Sequence, residues 1–373
     1  MRKTKIAALA ACAMTSVPVF AQNSVTLYGL VDTGVEYITH ATSTGGTVVR
    51  MPVIGGGDAA SRWGIKGSED LGNGLKAIFT LESGFSMSNG SLQQGGRLFG
   101  RQAYTGLAGP WGQLSFGRQY SMTTWGMYDS NILGSGGMGG LASFDPYLLA
   151  ARFDSDVVYL GTFAGLTVGA SYSFGRDSSP AGNCPGQSGN DFLACRAVSA
   201  MLKYDANAWG IATTYDEQRG GAGAAPVTVV PGLPGIAFTK SSDTDRRYQV
   251  AAKLFVGPVQ LGAGWLHRRI QGDVKSATTD LEYLGATYPY QAWTFEAQIS
   301  RIDNTAFDAD GTLGTVRVNY NFSKRTAVYS VLSYLKNNGK GGIYSVSAAS
   351  TVPAAPAPGG NQFGAEIGIR HMF

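Results

Sequence analysis

Apolar and polar side chains alternate along most of the chain, and no other feature restricts the possible folds as strongly. In the stretch Ser61–Phe85, Trp63 and Ile65 would point to one side of a strand, whereas Arg62 and Lys66 would point to the other. A second alternating run follows after a short, glycine-containing polar turn. Two such runs around one turn predict a β-hairpin with an apolar face and a polar face.

About sixteen alternating segments follow one another, and the connections between them are alternately short and long. After the N-terminal segment, no run of about 18 apolar residues occurs, which excludes a helical membrane protein. Charged residues make up only 14% of the chain, less than the ~25% of ordinary soluble domains. An even number of strands of about ten residues, with short turns at one end and long loops at the other, is typical of outer-membrane barrels. The sequence therefore predicts an all-β protein, a 16-stranded antiparallel transmembrane β-barrel.

Residues 1–21 have the features of a secretory signal peptide. Three basic residues precede an apolar run that ends at Ala21, where we expect cleavage. A membrane-anchoring helix is disfavoured because the run is short and contains Pro18. The barrel would then be a single domain over residues 22–373. Removal of the leader lowers the net charge from +4 to about +1 (26 basic against 25 acidic residues), so charge gives no reason to expect a nucleic-acid partner.

Two cysteines, Cys184 and Cys195, remain after the leader, in a segment rich in Gly, Ser and Asn. In an exported chain, an even pair predicts a disulfide that closes a loop. A metal site is a weaker alternative because no histidine lies nearby and the spacing is not C-x₂-C. Two free thiols are the remaining alternative.

Catalytic and cofactor motifs are weak in this sequence. Gly134–Gly139 satisfies G-x-G-x-x-G, but no strand-to-helix transition surrounds it. His40, His267 and His371 lie in unrelated segments without an H-E-x-x-H pattern. A barrel enzyme such as a lipid hydrolase would have to use His267, for which no serine partner can be assigned. We therefore expect no enzyme activity, no cofactor and no metal site.

Five stretches carry a family resemblance: Ser61–Phe85, Gly100–Leu107, Phe116–Gln119, Ser323–Thr326 and Gly368–Phe373. Together they resemble the Gram-negative general porin family in its β-proteobacterial form, over essentially the whole chain after the leader. The resemblance implies a homotrimer in the outer membrane that lets small hydrophilic solutes and ions diffuse passively. Contacts with outer-membrane lipid and lipopolysaccharide would follow from that location.

The resemblance also implies two structural roles. The long segment Tyr120–Ala151, which shows no strand alternation, would fold into the lumen as a constriction loop. The terminal Phe373 resembles the aromatic end that the barrel-assembly machinery recognises. External loops could also make the protein an adhesin or antigen, and this alternative remains open because the loops are of low complexity.

Three arginines, Arg62, Arg101 and Arg152, match the positions from which arginines of the family project into the constriction. Alternation supports this orientation directly for Arg62, which lies on the face opposite Trp63. For Arg101 and Arg152 the alternation is ambiguous, so their role is implied by the resemblance alone. These arginines predict a weak preference for anions.

Further charged residues fall on polar faces of predicted strands. The basic ones are Lys66, Lys76 and Arg317. Their acidic counterparts are Asp32, Glu36, Glu82, Glu296 and Glu366. Each of them could line the pore or form a structural ion pair inside a wet lumen.

Two acidic residues of the expected constriction loop, Asp129 and Asp145, are candidates to face the arginines across the pore. Asp145 precedes Pro146, so it could instead shape the turn. If enough carboxylates face the arginines, they would cancel or reverse the anion preference.

Overall fold

The computed structural model describes residues 23–177, 184, 186, 189–348 and 354–373. The signal peptide expected at residues 1–21 lies outside these residues. In chain order the strands are β1 (Ser24–Thr42), β2 (Gly45–Arg50), β3 (Arg62–Gly72), β4 (Leu75–Gly84), β5 (Gln102–Gly109), β6 (Gly112–Tyr120), β7 (Arg152–Phe163), β8 (Leu166–Ser173), β9 (Ala197–Asp205), β10 (Trp209–Arg219), β11 (Thr244–Val256), β12 (Val259–Gln271), β13 (Ser276–Tyr290), β14 (Trp293–Asp303), β15 (Asp310–Asn321), β16 (Thr326–Asn338) and β17 (Gln362–Met372).

Sixteen of these strands form one closed antiparallel wall. β17 pairs with β1 from Leu30↔Met372 to Ile38↔Gly364, which closes the barrel. On its other edge β1 pairs first with β3 and then, nearer its end, with the short strand β2. Because β2 extends the hairpin of β1 and is not a full strand of the wall, the predicted 16-stranded barrel is confirmed.

Burial in the wall is inverted relative to a soluble protein, as β1 illustrates. Val35 and Tyr37 are 52% and 42% exposed, whereas Asp32 and Glu36 are 2% and 0% exposed. Apolar side chains face outward, where a transmembrane barrel meets lipid, and polar ones face the interior. The alternation in the sequence therefore reports the two faces of the wall.

Connections at one end of the barrel are tight. The β3–β4 hairpin turns through Asn73 and Gly74, whose φ angles are 53° and 77°. Two consecutive residues with positive φ match the twist of a two-residue hairpin and explain the Asn-Gly pair. The connections at the other end are mostly longer, so short turns and long loops alternate along the chain, as the sequence indicates.

The segment between β6 and β7 lies along the inner face of the wall. It contains α1 (Met122–Met127), a 3₁₀ turn (Leu141–Ser143) and α2 (Tyr147–Ala150). A Cβ on Gly126 of α1 would be 2.3 Å from Thr214 Cγ2 on β10, so the helix packs tightly against the strand. Further along, Ile132 N donates to Gln298 Oε1 on β14 at 3.1 Å. We call residues 121–151 the inner loop.

The second half of the inner loop is covered by the connection between β16 and β17. Gly139 N donates to Val346 O at 2.7 Å, and Phe144 packs edge-on against Tyr344 with ring centroids 5.1 Å apart. This apolar packing fixes the loop inside the barrel. No helix among the described residues is long and apolar enough to cross a bilayer.

Candidate channel constriction

Arg62 and Arg101 lie on either side of one carboxylate. Arg62 begins β3, Arg101 immediately precedes β5, and Glu82 lies near the end of the intervening strand β4. Arg101 Nε donates to Glu82 Oε1 at 2.7 Å, and Arg62 Nε is 3.8 Å from Glu82 Oε2. Three residues selected from the sequence are therefore brought together at the loop end of adjacent strands.

Arg152 joins this group through a residue that the sequence analysis missed. Tyr120, the last residue of β6, accepts hydrogen bonds from Arg101 Nη2 at 2.7 Å and from Arg152 Nη2 at 2.9 Å. The Arg152 guanidinium also lies over the Tyr120 ring, 4.4 Å from its centroid. We call Arg62, Glu82, Arg101, Tyr120 and Arg152 the arginine cluster. It holds three cations against one carboxylate.

Arg152 retains hydrogen-bonding capacity within this cluster. Its side chain belongs to a residue only 5% exposed, yet Nε and Nη1 have no hydrogen-bond partner among the described residues. Buried polar atoms in proteins are nearly always paired, by protein or by solvent. Both N–H groups are themselves buried, so Arg152 contributes unneutralised positive charge to the cluster without meeting a passing anion directly.

A cavity of about 420 Å³ adjoins the cluster at Arg152. Basic side chains outnumber acidic ones among the described residues that line it. The basic residues are Arg97, Arg118, Arg152, Arg176, Arg247 and Arg268, and the acidic residues are Asp145, Asp177 and Asp245. Six cations against three carboxylates give the lining a formal charge of +3.

Sequence reasoning did not identify five of these arginines, although a local sequence pattern indicated two of them. Arg246-Arg247 and Arg268-Arg269 are doublets within strands, so one member of each must point inward. Arg247 and Arg268 are the inward members, at 1% and 3% exposure. Arg97 and Arg176 lie in loops, where alternation gives no information.

Asp145 pairs with arginines outside the arginine cluster, although it lines the same cavity as Arg152. Its Oδ2 lies 3.0 Å from Arg247 Nη2 on β11, and its Oδ1 lies 3.6 Å from Arg268 Nη1 on β12. Tyr147 N also donates to Asp145 Oδ1 at 3.1 Å, so the carboxylate shapes the turn as well. The path of the inner loop toward β10–β12 explains this placement, since Tyr147 Oη donates to Asp216 on β10 at 2.7 Å.

Asp129 is likewise paired elsewhere. It follows α1, which packs against β9–β11, and its carboxylate accepts from Lys203 Nζ at 2.5 Å and Lys253 Nζ at 2.9 Å. Burial alone would raise the pKa of Asp129, but the two lysine hydrogen bonds outweigh it and hold the pKa below its usual value. The charge of Asp129 is therefore neutralised by lysines of β9 and β11, and its expected place opposite the three arginines stays a prediction.

Arg317 is a structural residue in the covered part of the wall. It is 3% exposed and pairs with Glu296 at 2.6 Å and Asp58 at 3.1 Å. It also donates to the carbonyls of Gly57 and Leu133, each at 3.2 Å. These contacts match the ion-pair alternative, because Arg317 fastens two loops to β15.

Two lysines lie outside the cluster. Lys66 is exposed, with Nζ 5.4 Å from the Tyr28 ring centroid. Lys76 is also exposed and pairs in register with Asp70 beside the short turn. Six residues of extended strand, about 20 Å, separate Lys76 from Glu82. Lys76 therefore lies far along the strand from the arginine cluster, and its pore-lining role stays a prediction.

A second infolded loop was missed. Residues 51–61 enter the barrel, where Gly57 N donates to Glu366 Oε1 at 2.8 Å and Ala59 N donates to Asp32 Oδ2 at 2.6 Å. Tyr329 Oη donates to Asp32 Oδ1 at 2.6 Å. These carboxylates, predicted on the polar face, hold loop backbone in place.

Two other predicted features have clear positions. Cys184 and Cys195 form a disulfide, which confirms that pairing. Phe373 exchanges backbone hydrogen bonds of 3.0 Å with Gly29 on β1, and a Cβ at Gly29 would lie 2.2 Å from the Phe373 ring. The terminal aromatic residue therefore packs where the barrel closes, on a position that only glycine leaves open.

His267 has an acidic partner but no nucleophile. Its Nδ1 lies 2.9 Å from Asp280 Oδ1, and the Trp265 ring is adjacent. Within the part of the chain that the structure describes, no serine hydrogen-bonds to His267, and no cluster of three or more His, Cys, Asp or Glu side chains is arranged to bind a metal.

Comparisons with known proteins agree with this architecture. The model of the Gram-negative porin family matches residues 8–340. An outer membrane porin protein of Bordetella pertussis is 30% identical over 372 residues, which cover 90% of this chain and 95% of that protein. Outer membrane porin protein 32 of Delftia acidovorans is 28% identical over 385 residues and 100% of both chains. The solved structure of an anion-selective porin from Comamonas acidovorans has a TM-score of 0.78 and 25% identity over 94% of this chain and 100% of that one. The chain belongs to the Gram-negative porin family.

Proposed function

We propose that this porin conducts small anions in preference to cations, and that the arginine cluster sets the preference. As a Gram-negative porin, the protein forms an outer-membrane channel through which small hydrophilic solutes and ions diffuse passively. Selectivity in such a channel depends on the fixed charges at its narrow part, because a constriction between low-dielectric walls focuses their field.

The observation that carries the proposal is the excess of positive charge where the cluster and the cavity meet. The cluster holds three arginines against Glu82, and the cavity holds six against three aspartates. Arg152 belongs to both sets and has two N–H groups without a partner among the described residues. The related porin from Comamonas acidovorans is anion-selective, which supports the same preference here.

The remaining expectations about this protein are part of the proposal. Transport requires no catalytic step, so the protein acts without enzyme activity or cofactor. Residues 1–21 are removed on export, and residues 22–373 form the barrel domain. Outward apolar side chains such as Val35 and Tyr37 contact lipid, lipopolysaccharide or neighbouring copies in a homotrimer. Phe373 is the signal read by the barrel-assembly machinery.

The reversal potential of the purified porin in a planar bilayer with a KCl gradient tests this function. We expect the sign that corresponds to chloride preference. Substitution Lys240→Gln is a suitable control, because it removes one positive charge from an exposed loop where salt screens it. A potential of the opposite sign, or one that Lys240→Gln shifts as much as Arg62→Gln does, would refute the assignment.

A further inference from the structure

Two aromatic side chains of α1 and its C-cap are exposed inside the barrel. Trp125 is 38% and Tyr128 is 71% exposed. They are three residues apart in helical backbone, so they lie on the same side of the helix. The opposite side, which includes Thr123, Gly126 and Met127, is buried, and Gly126 packs against Thr214 on the inner face of β10. The two rings therefore face the lumen and do not support the packing of the loop.

This aromatic surface is continuous with the arginine cluster. The rings of Trp125 and Tyr120 meet edge to face with centroids 6.2 Å apart. Tyr120 in turn accepts hydrogen bonds from Arg101 and Arg152. Arg62 belongs to the same cluster, because Arg62 and Arg101 both pair with Glu82. An apolar surface and a group of unneutralised guanidinium groups thus share one part of the pore.

These two chemistries together define a ligand class. A carboxylate accepts charge-assisted hydrogen bonds from guanidinium N–H groups, and the Arg62 side chain of the cluster is 27% exposed. An aromatic ring in edge-to-face or offset contact with Trp or Tyr is bound more strongly than an aliphatic group of the same size. Small inorganic anions would use only the first interaction.

We infer that the arginine cluster, Trp125 and Tyr128 form a subsite for aromatic monocarboxylates, which the channel binds weakly and passes. The carboxylate lies at Arg62 and the ring lies against Trp125 and Tyr128. This inference rests on the proposed anion preference and names the solutes that benefit from it. Weak binding is compatible with transport, since a permeant solute must enter a site and also leave it.

Block of the chloride current in planar bilayers tests the subsite, with sodium phenylacetate and sodium cyclohexylacetate as probes. Both carry one carboxylate and have similar size, but only phenylacetate has an aromatic ring. We expect phenylacetate to reduce the current at a concentration about tenfold lower, as two aromatic contacts would give. In the double variant Trp125→Leu/Tyr128→Leu the two acids should act alike.

Matched variants separate this effect from a general disturbance. Phe192→Leu changes an exposed aromatic residue in another loop and should keep the tenfold difference. Trp125→Phe retains an aromatic ring and should keep most of the tenfold difference. Equal action of the two acids on the wild-type channel, or an undiminished difference in the double variant, would overturn the inference.

The KCl reversal potential of the same channels keeps the two proposals distinguishable. Chloride preference together with equal action of the acids overturns the subsite and leaves the anion preference intact. Potassium preference together with a selective effect of phenylacetate overturns the anion preference and supports the subsite. Potassium preference with no difference between the acids overturns both.

Discussion

The inner wall of the barrel has two regions that differ in how their charged side chains are paired. The open wall, formed by β3–β7 around the arginine cluster, holds Arg62, Arg101 and Arg152 with Glu82 as their one carboxylate partner. The covered wall, formed by β9–β16 beneath the infolded loops, gives four of its cations a carboxylate partner. The covered pairs are Lys203 and Lys253 with Asp129, Arg247 with Asp145, and Arg317 with Glu296.

This difference shows that a charged residue inside a pore is not necessarily a residue that governs conduction. On the covered wall, ion pairs fasten loops to strands, and their fields largely cancel. On the open wall, the three cluster arginines exceed their carboxylate partner Glu82, and no described residue pairs with Nε or Nη1 of Arg152. Charge balance among neighbours, and not an inward orientation alone, distinguishes the two roles.

The largest effect should come from breaking a buried pair on the covered wall. Arg247→Met would remove the main partner of Asp145, which would keep only Arg268 at 3.6 Å, and an uncompensated buried charge costs about 3–5 kcal/mol. Urea unfolding of the detergent-refolded protein measures this loss. The control is Arg246→Met, which removes the outward member of the doublet from a partly exposed pair and should cost about 1 kcal/mol or less. Equal losses in the two variants would argue against a structural role for the covered wall.

A smaller effect should follow from a steric change on the same wall. A Cβ at Gly262 would lie 1.9 Å from the Ser130 carbonyl oxygen, so Gly262→Ala should push the inner loop into the lumen. We expect a loss of about 1–3 kcal/mol and a reduced single-channel conductance. Gly314→Ala is the control, because nothing lies within 4 Å of its Cβ. Unchanged conductance in Gly262→Ala would show that the loop is not fixed at this point.

The smallest effect concerns pH at the end of α1. The lysine hydrogen bonds hold the pKa of Asp129 below its usual value, so the stabilisation they reflect is complete above the usual carboxyl pKa and is lost as pH falls through the lowered one. Because Asp129 is about one-third exposed, the effect should be about 1 kcal/mol or less. Open-channel current noise should therefore rise in wild type only at strongly acidic pH, whereas Asp129→Asn should show the rise at neutral pH. Noise independent of pH in both proteins would contradict this assignment.

A charge-neutral change on the covered wall tests whether the covered ion pairs contribute to ion selectivity. The double variant Asp129→Asn/Lys203→Met removes one charge of each sign and leaves Lys253 paired with Asp205 at 2.8 Å. We expect the reversal potential to stay at the wild-type value. A shift as large as that caused by a substitution on the open wall would show that covered pairs also contribute to selectivity.

Sequence reasoning predicted the barrel and Arg62 because both depend on a period of two residues, which is a local property. Arg101 and Arg152 were selected by resemblance. Each lies where a loop meets a strand, and there alternation does not predict the direction of a side chain. The partners of Asp129 and Asp145 were not predictable, because they depend on the path of an irregular loop across the barrel. An inward-facing arginine in the Arg246-Arg247 doublet could have been predicted, because alternation requires one of the two to face the lumen.

The most direct test of the central claim is the reversal potential of Arg152→Gln beside that of wild type in the same KCl gradient. A unit charge about 4 Å from a passing ion is worth about 1 kcal/mol in water-like surroundings, or about fivefold in the permeability ratio. Wild type should give the sign of chloride preference, and Arg152→Gln should lie closer to zero by about that factor. A wild-type potential with the sign of potassium preference, or no shift in Arg152→Gln, would contradict the claim that the open wall sets selectivity.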